Sequence, residues 1–230
     1  MKDRKLLRSA FTATVPVMAG YVVLGLGFGV ILKSKGYGFG WALAMSLFIY
    51  AGSMQFVLID LLTGGAGLLT TAITTLMVNA RHLFYSISMV EEYRGAGAKK
   101  PYMIFALTDE TYSLVCAGAP EGVDRHAYYF AVSFFDQLWW LGGSVLGSLL
   151  GSAIRFSTEG IDFALTALFI TVFAEQWLST KNHVPALIGV AASLVSLLVF
   201  GAESFLIPAM IGITVLLSFG WKKPGKGAAE

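Results

Sequence analysis

The chain has 230 residues, 56% of them hydrophobic and 13% charged, with a net charge of +2. Soluble domains carry about 25% charged residues, so this composition and a mean hydropathy of +0.71 exclude an ordinary water-soluble globule. The basic residues sit in loops and at the ends and make no nucleic-acid surface, while a lone cysteine, Cys116, excludes an intramolecular disulfide.

A helix that crosses a bilayer needs about 20 mostly apolar residues, and the chain has room for seven or eight. Lys2, Arg4, Lys5 and Arg8 precede the first apolar run, which imitates a signal peptide. The run is too long for an h-region and ends without a small-x-small cleavage site, so it reads as a retained first span. Spans are expected at about 10–32, 41–63, 67–90, 101–118, 127–152, 161–179, 184–200 and 204–221. Pro101 and Pro185 fall near the start of their helices, where a missing N–H is tolerated. Gly201-Ala202-Glu203 is so short a joint that the last two spans must form a tight hairpin. The expected fold is all-α: one polytopic integral membrane helix bundle over residues 1–230.

With the N-terminus inside and eight spans, inner segments hold nine basic residues and outer loops six. Cytoplasmic loops are normally the richer in Lys and Arg, so Arg94, Lys99 and Lys100 belong inside. A broken or re-entrant helix near Ala51-Gly52-Ser53 would put them there. Leu47 to Phe56 also aligns with Leu168 to Trp177, four of ten positions being identical. That weak internal repeat reads either as the ordinary likeness of apolar helices or as a duplicated transporter half.

Ionisable and amide groups interrupt three of the apolar runs. A charge at the centre of a membrane helix costs about 2.5–3.5 kcal/mol, and it persists where it faces other helices or water. In the third span Thr71, Thr75, Asn79, His82 and Ser86 recur at steps of four, four, three and four, one stripe on a continuous helix. Arg81 lies on its flank with Thr74, Tyr85 and Ser88. In the fourth span Asp109 shares a face with Tyr102, Phe105, Tyr112, Ser113 and Cys116, and Glu110 points along Met103, Ala106, Leu107 and Leu114. Two readings stay open. The hydroxyls and a fixed Arg81 ion pair with Asp109 or Glu110 serve assembly; or one carboxylate pairs with Arg81 while the other holds a substrate ammonium or exchanges a proton.

Asp136 and Gln137 in the fifth span, with Glu175 and Gln176 in the sixth, rank second as groups lining the same space. Gly52 and Gln55 mark a point where unwound backbone can coordinate a solute. Gly25 and Gly29, and Gly143, Gly147 and Gly151, repeat at intervals of four and signal close helix packing. His82, His126 and His183 lie on separate segments, and His-Glu-x-x-His, Gly-x-Ser-x-Gly and Walker patterns are missing. No enzyme, metal or cofactor is expected.

Pro16, Gly20-Tyr21, Gly25 and Gly29, then Tyr50-Ala51-Gly52-Ser53-Met54-Gln55-Phe56, Asn79-Ala80-Arg81-His82-Leu83-Phe84-Tyr85-Ser86 and Thr108-Asp109-Glu110-Thr111 together resemble the AzlC/YgaZ family. These are the large subunits of bacterial branched-chain amino acid exporters. The likeness covers most of the chain and is densest over residues 10–115. It implies secondary export of leucine, isoleucine and valine, with methionine at the margin, across the bacterial inner membrane. It also implies a small membrane subunit of the AzlD/YgaH type as partner. A zwitterion with an apolar tail needs a cation or helix N-terminus for its carboxylate, an anion for its ammonium and apolar walls. Arg81 with Asn79 suits the carboxylate and Asp109 the ammonium. Glu110 or His82 suits a proton-responsive role, and Phe56, Tyr85 and Phe105 suit the walls. The competing reading is a channel-like or scaffold subunit whose buried charges only hold a complex together.

Overall fold

The computed structural model describes residues 2–153, 170, 173–174, 177–178, 180, 182–201 and 205–220. All regular structure among them is helical. The chain forms two compact units, Met1–Leu165 and Thr166–Glu230. In the first, α1 (Lys2–Ser34), α2 (Phe39–Phe48), α3 (Gly52–Thr63), α4 (Leu68–Val78) and α5 (Ala80–Ser88) are followed by a 3-10 turn at Gly97–Lys99. Then come α6 (Lys100–Phe105), α7 (Asp109–Val115) and α8 (Arg125–Ala153). The second unit holds α9 (Val184–Phe200) and α10 (Leu206–Gly220).

α1 and α8 form the frame of the first unit, and their glycines make it. A methyl group on Gly25 would lie 2.9 Å from the backbone nitrogen of Ser144, and one on Gly143 2.8 Å from the carbonyl of Val22. On Gly29 and Gly147 it would overlap the backbones of Ser144 and Leu26 outright. The two glycine series, legible separately in the sequence, are one interface within the chain. Bare backbone lets the axes approach until dispersion contacts and weak Cα–H bonds form, the device membrane helices use in place of a hydrophobic driving force. Asp124 starts α8 by accepting the Ala127 N–H at 2.7 Å.

The spans expected at 41–63, 67–90 and 101–118 are each two short helices, so the anticipated interruption occurs three times. α2 and α3 hold 10 and 12 residues, α4 and α5 11 and 9, α6 and α7 6 and 7. At about 1.5 Å per residue, none alone reaches across about 30 Å of hydrocarbon. The first break falls at Ile49–Ala51, directly before Gly52, where Tyr50 takes a φ of +42°. A buried aromatic residue rarely adopts this left-handed conformation. The second is the single residue Asn79 (φ −93°, ψ 6°), which ends α4 and begins α5. The third covers Ala106–Thr108.

These breaks correct two expected faces. The stripe from Thr71 to Ser86 changes helix at Asn79, and Tyr102 and Phe105 lie on a different helix from Asp109. Pro101 and Pro185 do occupy the first turn of α6 and α9. Cys116 is exposed at the end of α7. α9 and α10 pack together after Gly201 (φ +74°), as a tight hairpin requires. Its residues 202–204, most of span 161–179 with Glu175 and Gln176, and so most of the repeat's second copy, lie outside the described residues.

Beside an apolar core, many large apolar side chains face outward and several polar ones are buried. Leu68, Leu198 and Phe48 are 92%, 85% and 74% exposed, whereas Gln55, Thr111 and Asp136 are wholly buried. Arg4–Ser34 is long and apolar enough to cross a bilayer by length and composition.

The helix contact yields a paired test. Gly147→Ala should destabilise the detergent-solubilised chain by about 1–3 kcal/mol or more through overpacking. Gly142→Ala, with open space around its added methyl, should stay near wild type. Thermal unfolding of the two variants side by side measures the difference.

Candidate functional site

The third break turns a sequence motif into a helix start. Thr108 is the N-cap of α7, and its hydroxyl accepts the Thr111 N–H at 3.3 Å. Asp109 and Glu110 occupy the first turn, where a carboxylate meets the positive end of the helix dipole. The fold therefore gives these carboxylates a local electrostatic partner that a continuous helix would withhold.

A line of hydroxyls runs from this helix start into the frame. Tyr21 of α1 lies 2.7 Å from Glu110 Oε2 and 2.7 Å from the Thr108 hydroxyl. Thr108 and Thr111 are 3.1 Å apart, and Thr111 donates to Asp136 Oδ2 of α8 at 2.8 Å. Glu110 is half-buried, while Tyr21, Thr108, Thr111 and Asp136 are buried. Asp136 Oδ1 is also buried and has no hydrogen-bond partner among the described residues.

The first break is sealed by amides. Gln137 of α8 donates to the carbonyl of Leu47 at 3.2 Å, at the end of α2, and accepts from Tyr102 at 2.7 Å. Gln55 donates to the Ser46 hydroxyl at 3.3 Å across the break and accepts from the Trp140 indole at 2.9 Å. A methyl added to Gly52 would lie 3.1 Å from the Trp140 ring and crowd it. The Trp140 ring also packs on Tyr21 and Phe28, and Phe28 meets Phe56 edge-on at 5.6 Å. At its N-terminus α3 has no side-chain cap and no acidic residue in its first turn.

The third and fourth segments meet through aromatic groups. Tyr85 of α5 stacks on Tyr112 of α7 with centroids 5.3 Å apart, and Ser88 donates to the Tyr112 hydroxyl at 3.1 Å. His82 lies half-buried against Tyr85 at 5.1 Å. Asn79 is half-buried at its break. Phe105 is 41% exposed and neighbours Tyr50 at 6.3 Å. The Arg81 side chain, Glu175 and Gln176 lie outside the described residues.

Of the expected site residues, Glu110 and Asp136 end one line of hydroxyls, Gln137 separately joins Tyr102 to the end of α2, and Gln55, Gly52 and Phe56 gather near Trp140. Tyr21, Thr108 and Thr111 belong to the motifs that carry the family likeness, which implies no role for them, and Ser46 carries no motif at all. Two hydroxyls three apart, flanking a pair of carboxylates, form an N-cap pattern, which was a readable signal. Tyr21 left no local signal, because its partners are about 90 positions away.

The family described as "AzlC protein" matches residues 16–154. The chain is 44% identical over 212 residues to the "Branched-chain amino acid transport protein AzlC" of Bacillus subtilis, covering 92% of this chain and 84% of that protein. It is 41% identical over 214 residues to an "Uncharacterized membrane protein" of Helicobacter pylori, covering 93% and 94%. It is 26% identical to the "Inner membrane protein YgaZ" of Escherichia coli over 202 residues, covering 86% and 82%. No solved structure matches.

Trp140→Phe keeps a ring but strips Gln55 of its indole donor. A buried amide oxygen left unpaired costs about 1–3 kcal/mol. The double variant Trp140→Phe with Gln55→Leu should lose less stability than the two single losses added together. Unfolding of all three variants in detergent gives the coupling.

Proposed function

The chain belongs to the AzlC family, and we propose that it exports branched-chain amino acids as a secondary transporter. Leucine, isoleucine and valine are the substrates, with methionine at the margin. The chain lies as a multi-pass protein of seven or eight crossings in the bacterial inner membrane, works with a small AzlD/YgaH-type membrane subunit and couples export to protons. Its membership of a family of membrane and transport proteins supports a role in amino acid transport. The observation that carries the finer reading is the run of three interrupted helices. Irregular backbone at membrane depth is tolerated only where it is buried in protein or lines a watery cavity, and broken helices are how many transporters make a substrate site.

The chemistry of a zwitterion fits these elements. The N-terminus of α3 at Gly52, which has no side-chain cap, with Asn79 and Arg81, receives the substrate carboxylate through backbone N–H groups and a fixed positive charge. Asp109 receives the ammonium. Phe105 and Tyr85 take the aliphatic tail, which gains about 0.8 kcal/mol per buried methylene. Phe56 and Gln55, both buried and already engaged, shape the site from behind.

Radiolabelled leucine counterflow in proteoliposomes tests this, with and without the small subunit. Wild-type chain with its partner should exchange leucine, and an outward proton gradient should change the level reached. Asp109→Asn should lower counterflow at least about tenfold, equivalent to about 1.4 kcal/mol, while the protein keeps its unfolding midpoint. No counterflow in wild type, with failed assembly of the Asp109 variant, would instead identify a scaffold subunit.

A further inference from the structure

The line of hydroxyls between Glu110 and Asp136 contains a counting problem. It has four short oxygen contacts: Glu110 to Tyr21, Tyr21 to Thr108, Thr108 to Thr111, and Thr111 to Asp136, at 2.7, 2.7, 3.1 and 2.8 Å. Each needs a hydrogen between its oxygens. The three hydroxyls supply one each. With both carboxylates ionised, one contact would hold no hydrogen at all.

We infer that Glu110 and Asp136 share a single proton that Tyr21, Thr108 and Thr111 relay between them. When the proton is on Glu110, every hydroxyl donates toward Asp136. When it is on Asp136, every hydroxyl donates toward Glu110. Passage from one state to the other breaks four O–H bonds and forms four. Each hydrogen crosses its own contact and no hydroxyl has to rotate. One proton moves from Glu110 to Asp136 and one negative charge moves back.

Thr108 accommodates both states, because besides the Thr111 N–H it accepts from Tyr21 in one and from Thr111 in the other. Asp136 is wholly buried with one oxygen unpartnered. Within the described residues its one hydrogen-bonded connection outward is this line, which ends at the half-buried Glu110. The titratable groups facing Asp136 are Tyr50, Tyr102 from α6, Tyr128 on α8 and Glu110. Those facing Glu110 are Tyr21 and Tyr50, with Asp109 adjacent on α7. The ion pairs among described side chains, Arg94 with Glu91 and Arg125 with Glu92, lie elsewhere. As the coupling path of export, this assignment rests on the proposed transport function; as a shared proton it stands without it.

Infrared difference spectroscopy of the full chain in lipid, in H2O and D2O at neutral pH, reads the proton directly. Wild type should show one deuterium-sensitive carboxylic acid carbonyl band. Either Glu110→Gln or Asp136→Asn alone should abolish it, because the amide supplies the fourth hydrogen and leaves the other carboxylate ionised. Absence of the band in wild type overturns the proposal. So does its loss in one variant with full retention in the other, which describes two independent acids. For the path, Thr111→Val should abolish leucine accumulation driven by a pH gradient yet retain counterflow, and Thr111→Ser should restore accumulation. Tyr21→Phe cuts the chain at another link and should repeat the Thr111→Val result if that variant does not fold. Wild-type accumulation in Thr111→Val or Tyr21→Phe sinks the relay. Absence of counterflow in wild type sinks the export reading alone, since the infrared band does not depend on it.

Discussion

An unwound stretch of chain surrounded by apolar side chains leaves peptide groups that something must satisfy, and that requirement organises this molecule. Each orphaned amide or carbonyl costs a few kcal/mol in hydrocarbon. The first interruption is closed mainly from α8. Gln137 takes the Leu47 carbonyl at the end of α2, and Trp140 fixes the Gln55 that reaches back to Ser46. At the third interruption Thr108 caps α7 with its own side chain. A helix that read in sequence as one more crossing thus acts as a polar spine for its broken neighbours.

That spine works only at short range, and the glycines set the range. Side-chain hydrogen bonds such as Tyr21 to Thr108 tolerate displacements of a few tenths of an ångström. α1 lies against α8 without intervening side chains at Gly25, Gly29, Gly143 and Gly147, so Tyr21 and Trp140 come within 5.5 Å of each other as rings. Tyr21 then reaches α7 with its hydroxyl while its ring stays in the aromatic core. Packing and polar chemistry are one arrangement here: widening the helix contact by a methyl group would pull Tyr21 off both of its partners.

The sequence carried the inventory of polar residues better than their geometry. Buried Asp136 and Gln137, the glycine series, the proline starts of α6 and α9 and the weak point beside Gly52 were all legible, because each leaves a composition or spacing anomaly in an apolar run. The breaks at Asn79 and Ala106–Thr108 were not. Asn79 ends one helix and begins the next within a single residue, so periodicity passes through it almost undisturbed. Thr108 reads as one more hydroxyl in a membrane helix until its partner three residues on is treated as a cap. Tyr21 depended on tertiary contact alone. Faces drawn on continuous helices therefore grouped Asp109 with Tyr102, whereas the folded chain groups Glu110 with Tyr21 and Tyr102 with Gln137.

The separation of Glu110 and Asp136 by three hydroxyls also explains why neither touches the other. Two carboxylates in direct contact would hold one proton tightly between them, since like charges at that distance cannot both ionise. An arginine placed between them would pin both as anions and leave nothing to move. Neutral hydroxyls do neither. They polarise one another along the line and let the charge appear at either end while the backbone stays fixed. The half-buried end is the one beside the α7 N-terminus, where the helix dipole favours an anion. A substrate ammonium arriving at Asp109 would add to that preference, drawing negative charge toward Glu110 and sending the proton inward to Asp136. Under the proposed function, substrate binding and proton position would be linked by electrostatics at a single helix end, and the same linkage run in reverse would let a change of protonation loosen the substrate.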